Sequence, residues 1–190
     1  MPAEVEIKFR VSSAAALKRR LKTAGFRVVT PRTHEFNQLF DFPGERLRRR
    51  GELIRLRLYG VRATLTFKAK AASGRHKTRI EMESAVLDAV ATAAILVGLG
   101  LKPTWAYEKF RTEFSDGKGH VVLDETPIGL FAEIEGPPLW IDQTAKRLTV
   151  EPGHYLTATY AELFLKWKRR TRSKAKNMLW KETGGGMPRG

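Results

Sequence analysis

Charged and apolar residues alternate strictly near the start of the chain, in Glu4-Val5-Glu6-Ile7-Lys8-Phe9-Arg10-Val11. Successive side chains on a β-strand point to opposite faces, so this stretch predicts a strand with Glu4, Glu6, Lys8 and Arg10 on one face. Val5, Ile7, Phe9 and Val11 share the other. Taken alone, such a strand is half-buried with a solvated outer face. The pattern recurs, however. Residues 53–59 set Arg55 and Arg57 against Ile54, Leu56 and Leu58, and residues 64–70 set Lys68 and Lys70 against Leu65 and Phe67. Residues 77–83 align Lys77, Arg79, Glu81 and Glu83 against Ile80 and Met82. Residues 107–114 align Lys109, Arg111 and Glu113 against Phe110 and Phe114, and residues 130–135 set Glu133 and Glu135 against Ala132 and Ile134. Repetition on this scale predicts a built polar surface, not a scatter of solvating charges.

The intervening segments read as connections and outer helices. Ser12-Ser13 caps a helix expected over 14–24, with Leu17, Leu21 and Ala24 at helical spacing and Gly25 closing it. Residues 26–30 and 33–42 read as two strands separated by Pro31. The segment 43–51 holds Arg46, Arg48, Arg49 and Arg50, a solvated basic turn or a device that steers anions to a site mouth. Strands 53–59 and 63–70 form a hairpin at Gly60, residues 71–75 a loop, and 77–84 the returning strand. A helix over 87–97, apolar on most faces, is expected to pack outside the sheet. Strands 105–115 and 120–124 pair around Asp116-Gly117-Lys118-Gly119, and the strand 131–135 ends at Gly136-Pro137-Pro138. Helices over 141–148 and 155–166 follow, separated by Glu151-Pro152-Gly153.

Length and composition narrow the class. A chain of 190 residues makes one domain the default, with 42% apolar and 29% charged residues. The absence of cysteine excludes disulfides, thiolate metal sites and cysteine nucleophiles. His34, His76, His120 and His154 show no metal-binding spacing. Glu4 and Glu6 interrupt any secretory signal, and the longest apolar run, 89–101, is too short to span a bilayer, so a cytoplasmic location and no membrane are expected. No P-loop, nucleotide-binding glycine turn, RNA-binding signature or solenoid repeat is present. The formal charge is +15, of which residues 166–190 supply nine Lys or Arg less Glu182, or +8. This divides the chain into a body, 1–165, and a basic tail, 166–190. The tail is read as a solvated extension, or as a contact for polyphosphate or nucleic acid.

Two carboxylates at i and i+2 on a strand stand roughly 6–7 Å apart. Such a pair suits a hard divalent cation with waters completing its shell. Arg and Lys at the same spacing suit the oxygens of a polyphosphate, as a bidentate fork and as a point charge. Both kinds of pair on neighbouring strands describe a metal–triphosphate site.

The same residues carry a resemblance. E-V-E-I-K at 4–8 resembles the ExExK signature of the CYTH family, the triphosphate tunnel metalloenzymes. I-R-L-R, L-T-F-K, R-I-E-M-E, E-K-F-R, V-L-D-E and F-A-E-I-E-G follow in the family's order, and T-Y-A-E-L resembles its SYxEL-like stretch. The resemblance covers residues 4–163. It implies an α+β fold: a closed antiparallel eight-stranded barrel with a charged interior and helices packed outside. It implies that Glu4, Glu6, Glu133 and Glu135 form the metal site, with Asp124, Glu81 and Glu83 as further ligands, for Mg2+ or alternatively Mn2+. Arg55, Arg57, Lys68, Lys70, Arg79, Lys109 and Arg111 would hold the triphosphate, and Lys8 and Glu6 would serve catalysis.

Three functions fit that resemblance: hydrolysis of inorganic triphosphate or of a small organic triphosphate such as thiamine triphosphate; an adenylate cyclase of the class IV type; and a non-catalytic binder of polyphosphate or RNA. The retained acid pairs favour an enzyme over a pure anion binder. No adenine-recognition residues are evident; residues 34–42, H-E-F-N-Q-L-F-D-F, resemble the cyclase stretch only loosely.

Overall fold

The computed structural model describes residues 3–72 and 76–184. Eight strands close into one antiparallel barrel in the order β1-β5-β4-β3-β2-β6-β7-β8. They are β1 (Ala3–Val11), β2 (Arg27–Asp41), β3 (Leu53–Tyr59), β4 (Arg62–Lys68), β5 (Lys77–Val86), β6 (Lys102–Ser115), β7 (His120–Thr126) and β8 (Gly129–Glu135). Closure removes every free sheet edge, and alternation sends one set of side chains inward and the other out. In β1 the middle of the outward set is buried, with Ile7 2% and Phe9 5% exposed, and Val5 and Val11 at the ends are half-buried. Six helices lie outside among the described residues: α1 (Ala14–Thr23), α2 (Arg46–Arg49), α3 (Ala89–Gly98), α4 (Pro138–Arg147), α5 (Tyr160–Thr171) and α6 (Trp180–Thr183).

The apolar core therefore sits between the barrel wall and the helices. Ile7, Phe9, Leu123 and Ile134 pack against Leu17 and Leu21 of α1 and Ile141 and Ala145 of α4. Leu96 of α3 and Leu47 of α2 pack on Phe40 and Leu56. A third cluster borders the cavity instead: Leu163 and Phe164 of α5 pack with Tyr107, Phe131 and Met178, and Tyr107 and Phe164 also line the interior. The β6–β7 turn meets α4 closely: a Cβ at Gly119 would lie 2.4 Å from the Trp140 ring.

Several expectations are corrected. Residues 27–41 form one strand, not two. The pairing of β2 with β6 shifts register between Val28 and Thr30 and between Thr30 and Thr33, so Pro31 falls in an irregular stretch where its missing N–H breaks no regular ladder. The basic turn 43–51 contains α2, held by Asp41, whose carboxylate accepts from the backbone N–H groups of Leu47 and Arg48 at 2.9 and 3.0 Å. Its arginines remain exposed. The last long helix begins at Tyr160, where Thr159 and Glu162 make a reciprocal capping box, and runs on to Thr171.

The tail is not a solvated extension over its described part. Arg172, at φ 55°, turns the chain back after α5. Met178 is fully buried and bridges Tyr107 in parallel. Asn177 Oδ1 accepts from Ala106 N at 2.9 Å, and Trp180 N donates to Glu108 Oε1 at 2.8 Å. Residues 73–75 of the expected loop and 185–190 of the tail lie outside the described residues.

Candidate active site

The barrel encloses a cavity of about 1670 Å3, lined by charged side chains from the strands. All the residues expected in the site line it except Asp124, which lies buried behind. Strand pairing explains the convergence. Glu6 is the cross-strand partner of Glu135 on one side of β1 and of Lys77 on the other; Lys8 is opposite Glu133, and Glu4 opposite Arg79.

One wall is cationic and tightly supported. Lys8 Nζ lies 3.0 Å from Glu133 Oε1 and 4.5 Å above the Tyr160 ring. Arg111 Nη2 reaches Glu133 Oε2 at 2.5 Å, and its guanidinium grips Asp124 through two bonds of 2.7 Å. Lys109 donates to Asp124 Oδ2 at 2.8 Å, and the Tyr160 hydroxyl donates to the same oxygen at 2.6 Å. Asp124 is thus the hub that orients Lys109, Arg111 and Tyr160. Burial opposes the charge on Lys8, but Glu133 and Glu6 outweigh it and hold the ammonium above the ordinary lysine value. Burial likewise opposes the Arg111 charge and is outweighed by Asp124 and Glu133. Glu133, raised by burial, is carried well below the usual carboxylate range by Lys8 and Arg111.

The other cations take different roles. Arg57 pairs with Glu83 at 3.0 Å, and Arg55 reaches the same carboxylate at 3.5 Å. Arg79 gives its guanidinium to backbone, donating to Gly51 O at 2.8 Å and to the carbonyls of Lys68 and Ala69. From β5 it thus clamps the segment that enters β3 to the end of β4. Lys70 lies past the end of β4, exposed at the rim.

The acids expected to bind metal are mostly held by lysines. Lys77 Nζ lies 2.5 Å from Glu6 Oε1; Lys68 lies 3.2 Å from Glu4 and pairs with Glu81. Among the described residues, no three carboxylates or histidines stand together as a ready metal cluster. The donor chemistry nonetheless fits a hard cation. Glu135, exposed at the end of β8 on the cavity side, is pushed up to about 7 by partial loss of hydration and then by the charges of Glu4 and Glu6. A carboxylate facing two others in a partly buried site is short of positive charge.

Sequence reasoning missed Glu35 and Asn37 on β2, both fully buried, and Tyr160. Asn37 donates to Glu35 Oε1 at 2.9 Å, and Lys109 lies 3.5 Å from the same oxygen. Burial raises Glu35, but Lys109 and Arg111 outweigh it and bring its pKa to about 2. The alternation Thr33, Glu35, Asn37 was a usable signal, and so was the T-x-x-E box that places Tyr160. An aromatic wall was missed as well: Trp105 lines the cavity and stacks on Tyr107 at 5.0 Å between ring centres, with Phe164 at 5.8 Å.

Comparison with solved structures finds the same fold. An adenylate cyclase candidate from Vibrio parahaemolyticus aligns with a TM-score of 0.74 at 19% identity, over 85% of this chain and 97% of its own. A conserved hypothetical protein from Pyrococcus furiosus aligns with a TM-score of 0.72 at 24% identity, over 84% and 99% of the two chains. A cyclase candidate from Hippeastrum, described as having a dominant triphosphatase activity, aligns with a TM-score of 0.67 at 19% identity, over 86% and 95%. No curated protein matches the chain. The family model of the CYTH domain matches residues 2–178, and the chain belongs to the CYTH family.

Proposed function

We propose that this chain is a metal-dependent hydrolase of triphosphate-containing substrates, acting on inorganic triphosphate or a small organic triphosphate. The observation that carries the reading is the arrangement inside one closed wall. The supported cations Lys8, Lys109 and Arg111 stand beside the acid pair Glu6 and Glu135, with Arg55 and Arg57 completing the cationic lining. Phosphoryl transfer asks a protein chiefly for positioning and electrostatic stabilisation, and this lining supplies both.

Lys8, Lys109 and Arg111 hold phosphate oxygens and stabilise the charge that grows as the terminal P–O bond breaks. Arg55 and Arg57 take the remaining phosphates after releasing Glu83. Water attacks the terminal phosphorus, and the bridging P–O bond breaks with the diphosphate portion of the substrate as leaving group. The terminal phosphoryl departs as orthophosphate, and a carboxylate of the Glu6 and Glu135 pair accepts the proton of the attacking water. Glu4, Glu6, Glu133 and Glu135 would hold a divalent cation, magnesium in the first instance; Glu81 and Glu83 are further donors. When bound, that cation neutralises phosphate oxygens and activates water. Asp124 acts through Lys109 and Arg111. Lys168 and Lys176, lining the same cavity, extend the positive surface toward longer polyanions such as polyphosphate or RNA.

A second reading, the cyclase, draws support from the wall of Trp105 and Tyr107. A cavity of about 1670 Å3 leaves room for an aromatic base beside the phosphates. One experiment separates the readings. The purified chain is given tripolyphosphate, thiamine triphosphate, ATP and 5′-triphosphate RNA with magnesium or manganese, and the products are resolved. Orthophosphate is expected. Cyclic AMP with pyrophosphate makes it a cyclase, and tight binding without turnover makes it a binding module.

A further inference from the structure

α3 reads Ala-Val-Ala-Thr-Ala-Ala-Ile-Leu-Val-Gly and carries no charged residue. Apolar side chains lie all round it, the pattern of a helix covered on every side. Its own chain covers one side. Among its residues only Leu96 is buried, against Phe40, Leu47, Leu56 and Leu101. Away from that contact Val90 is 82%, Ile95 63% and Val97 52% exposed, with Leu87 and Leu99 beside them at 109% and 68%. The patch continues onto the sheet. Met82, 46% exposed, is the cross-strand partner of Phe67, which is opposite Ile54 in the cluster around Leu96; Ile80 follows at 43%. Together these residues expose an apolar surface of roughly several hundred Å2, the size at which a patch on a monomer marks an interaction site.

We propose that this face pairs with the same face of a second copy of the chain. At a formal charge of +15, two copies repel wherever their basic surfaces meet. They can associate through a face without charge, and α3 offers one. A symmetric pairing sets α3 against α3, so no like charges are opposed. Ala91 and Ala94, exposed between the larger Val90, Ile95 and Val97, leave grooves that the ridges of the same helix can fill, while Ala89 and Ala93 pack on the chain's own core. An acidic partner would seek the lysines and arginines instead. A helix that docks on a membrane carries them along its polar side, and α3 has none.

Sedimentation velocity of the full chain tests this. At micromolar concentration a dimer that dissociates on dilution is expected. Val90→Glu combined with Ile95→Glu should shift it to monomer with unchanged circular dichroism, because both side chains are exposed. If that variant misfolds, Leu99→Lys on the same face serves in its place. A wild-type chain that is monomeric throughout overturns the proposal, and so does a dimer that survives the substitutions. Flotation of the wild-type monomer with phosphatidylserine vesicles, lost in the variants, would make a membrane the occupant and equally overturn it.

Discussion

Lys77 on β5 holds Glu6 on β1, the two residues being direct cross-strand partners with Nζ 2.5 Å from Oε1. The ammonium thus sits on a carboxylate that a divalent cation would need. Binding of the cation has to displace it, and that competition weakens the site. Lys77→Met is therefore expected to tighten binding of manganese by about tenfold, or ~1.4 kcal/mol. Calorimetric titration without substrate measures this directly. Unchanged or weaker binding would mean that Lys77 does not compete for Glu6.

Asp124 and Tyr160 share a hydrogen bond of 2.6 Å, but their removal should differ in scale. Asp124→Asn leaves Lys109 and Arg111 buried without their main counter-charge and is expected to cost about 3–5 kcal/mol. Tyr160→Phe deletes a hydroxyl hydrogen-bonded to a charged group and is expected to cost about 1.5–3 kcal/mol. Urea unfolding of both single variants and the double variant gives the coupling between them. Equal costs for the two single changes would remove Asp124 as the hub.

Acid stability should have a component from Glu35. Its folded pKa is about 2 against an ordinary 4.5, so the folded state prefers the carboxylate. A depressed folded value adds stability that is complete above about pH 4.5 and is lost as pH falls toward 2. The shift corresponds to about 3 kcal/mol. Glu35→Gln should flatten this limb of the stability profile between pH 4.5 and 2. A profile as steep as wild type would place the titration elsewhere.

The barrel was legible because a tunnel lined with charge imposes period-two alternation on both faces. In β1 the register of Glu4, Glu6 and Lys8 could be read directly from the sequence. The rest of the site was hidden for physical reasons. Asp124 looks like one more acid in V-L-D-E, and only the packing of β6, β7 and α5 shows that Lys109, Arg111 and Tyr160 surround it. Arg79 alternates with the other inward residues, yet its guanidinium is committed to three carbonyls by the chain path around it. Charge count misled in the tail. Its lysines and arginines dominate the composition, while a few apolar residues, Ala175, Met178, Leu179 and Trp180, decide where it lies.

Those apolar residues carry a prediction of their own. Met178 is fully buried against Tyr107 and its neighbours, so Met178→Ala is expected to cost about 2–5 kcal/mol. Ending the chain at Arg172 removes Met178, Leu179 and Trp180 together and should lower the melting temperature further. Thermal unfolding of the two proteins checks the order. A truncated chain as stable as wild type would show that the packed segment contributes nothing.

Glu6→Gln and Glu135→Gln should separate function from stability. Both side chains point into the cavity, so neither substitution removes apolar packing. Glu135 in particular, though exposed, lies close enough to Glu4 and Glu6 that partial loss of hydration and both neighbouring charges disfavour its own charge. Making it neutral relieves that repulsion, so Glu135→Gln is expected to melt at or above the wild-type temperature. Glu6→Gln loses its pair with Lys77 and should melt slightly lower. Turnover of tripolyphosphate should nevertheless fall by about 10²-fold or more in each, the scale of removing one preorganised electrostatic group from an active site. Circular dichroism, thermal melts and phosphate release on the same preparations give the test. Wild-type turnover in both variants would remove the acid pair from the chemistry, whereas loss of fold in Glu135→Gln would show that its charge supports the barrel.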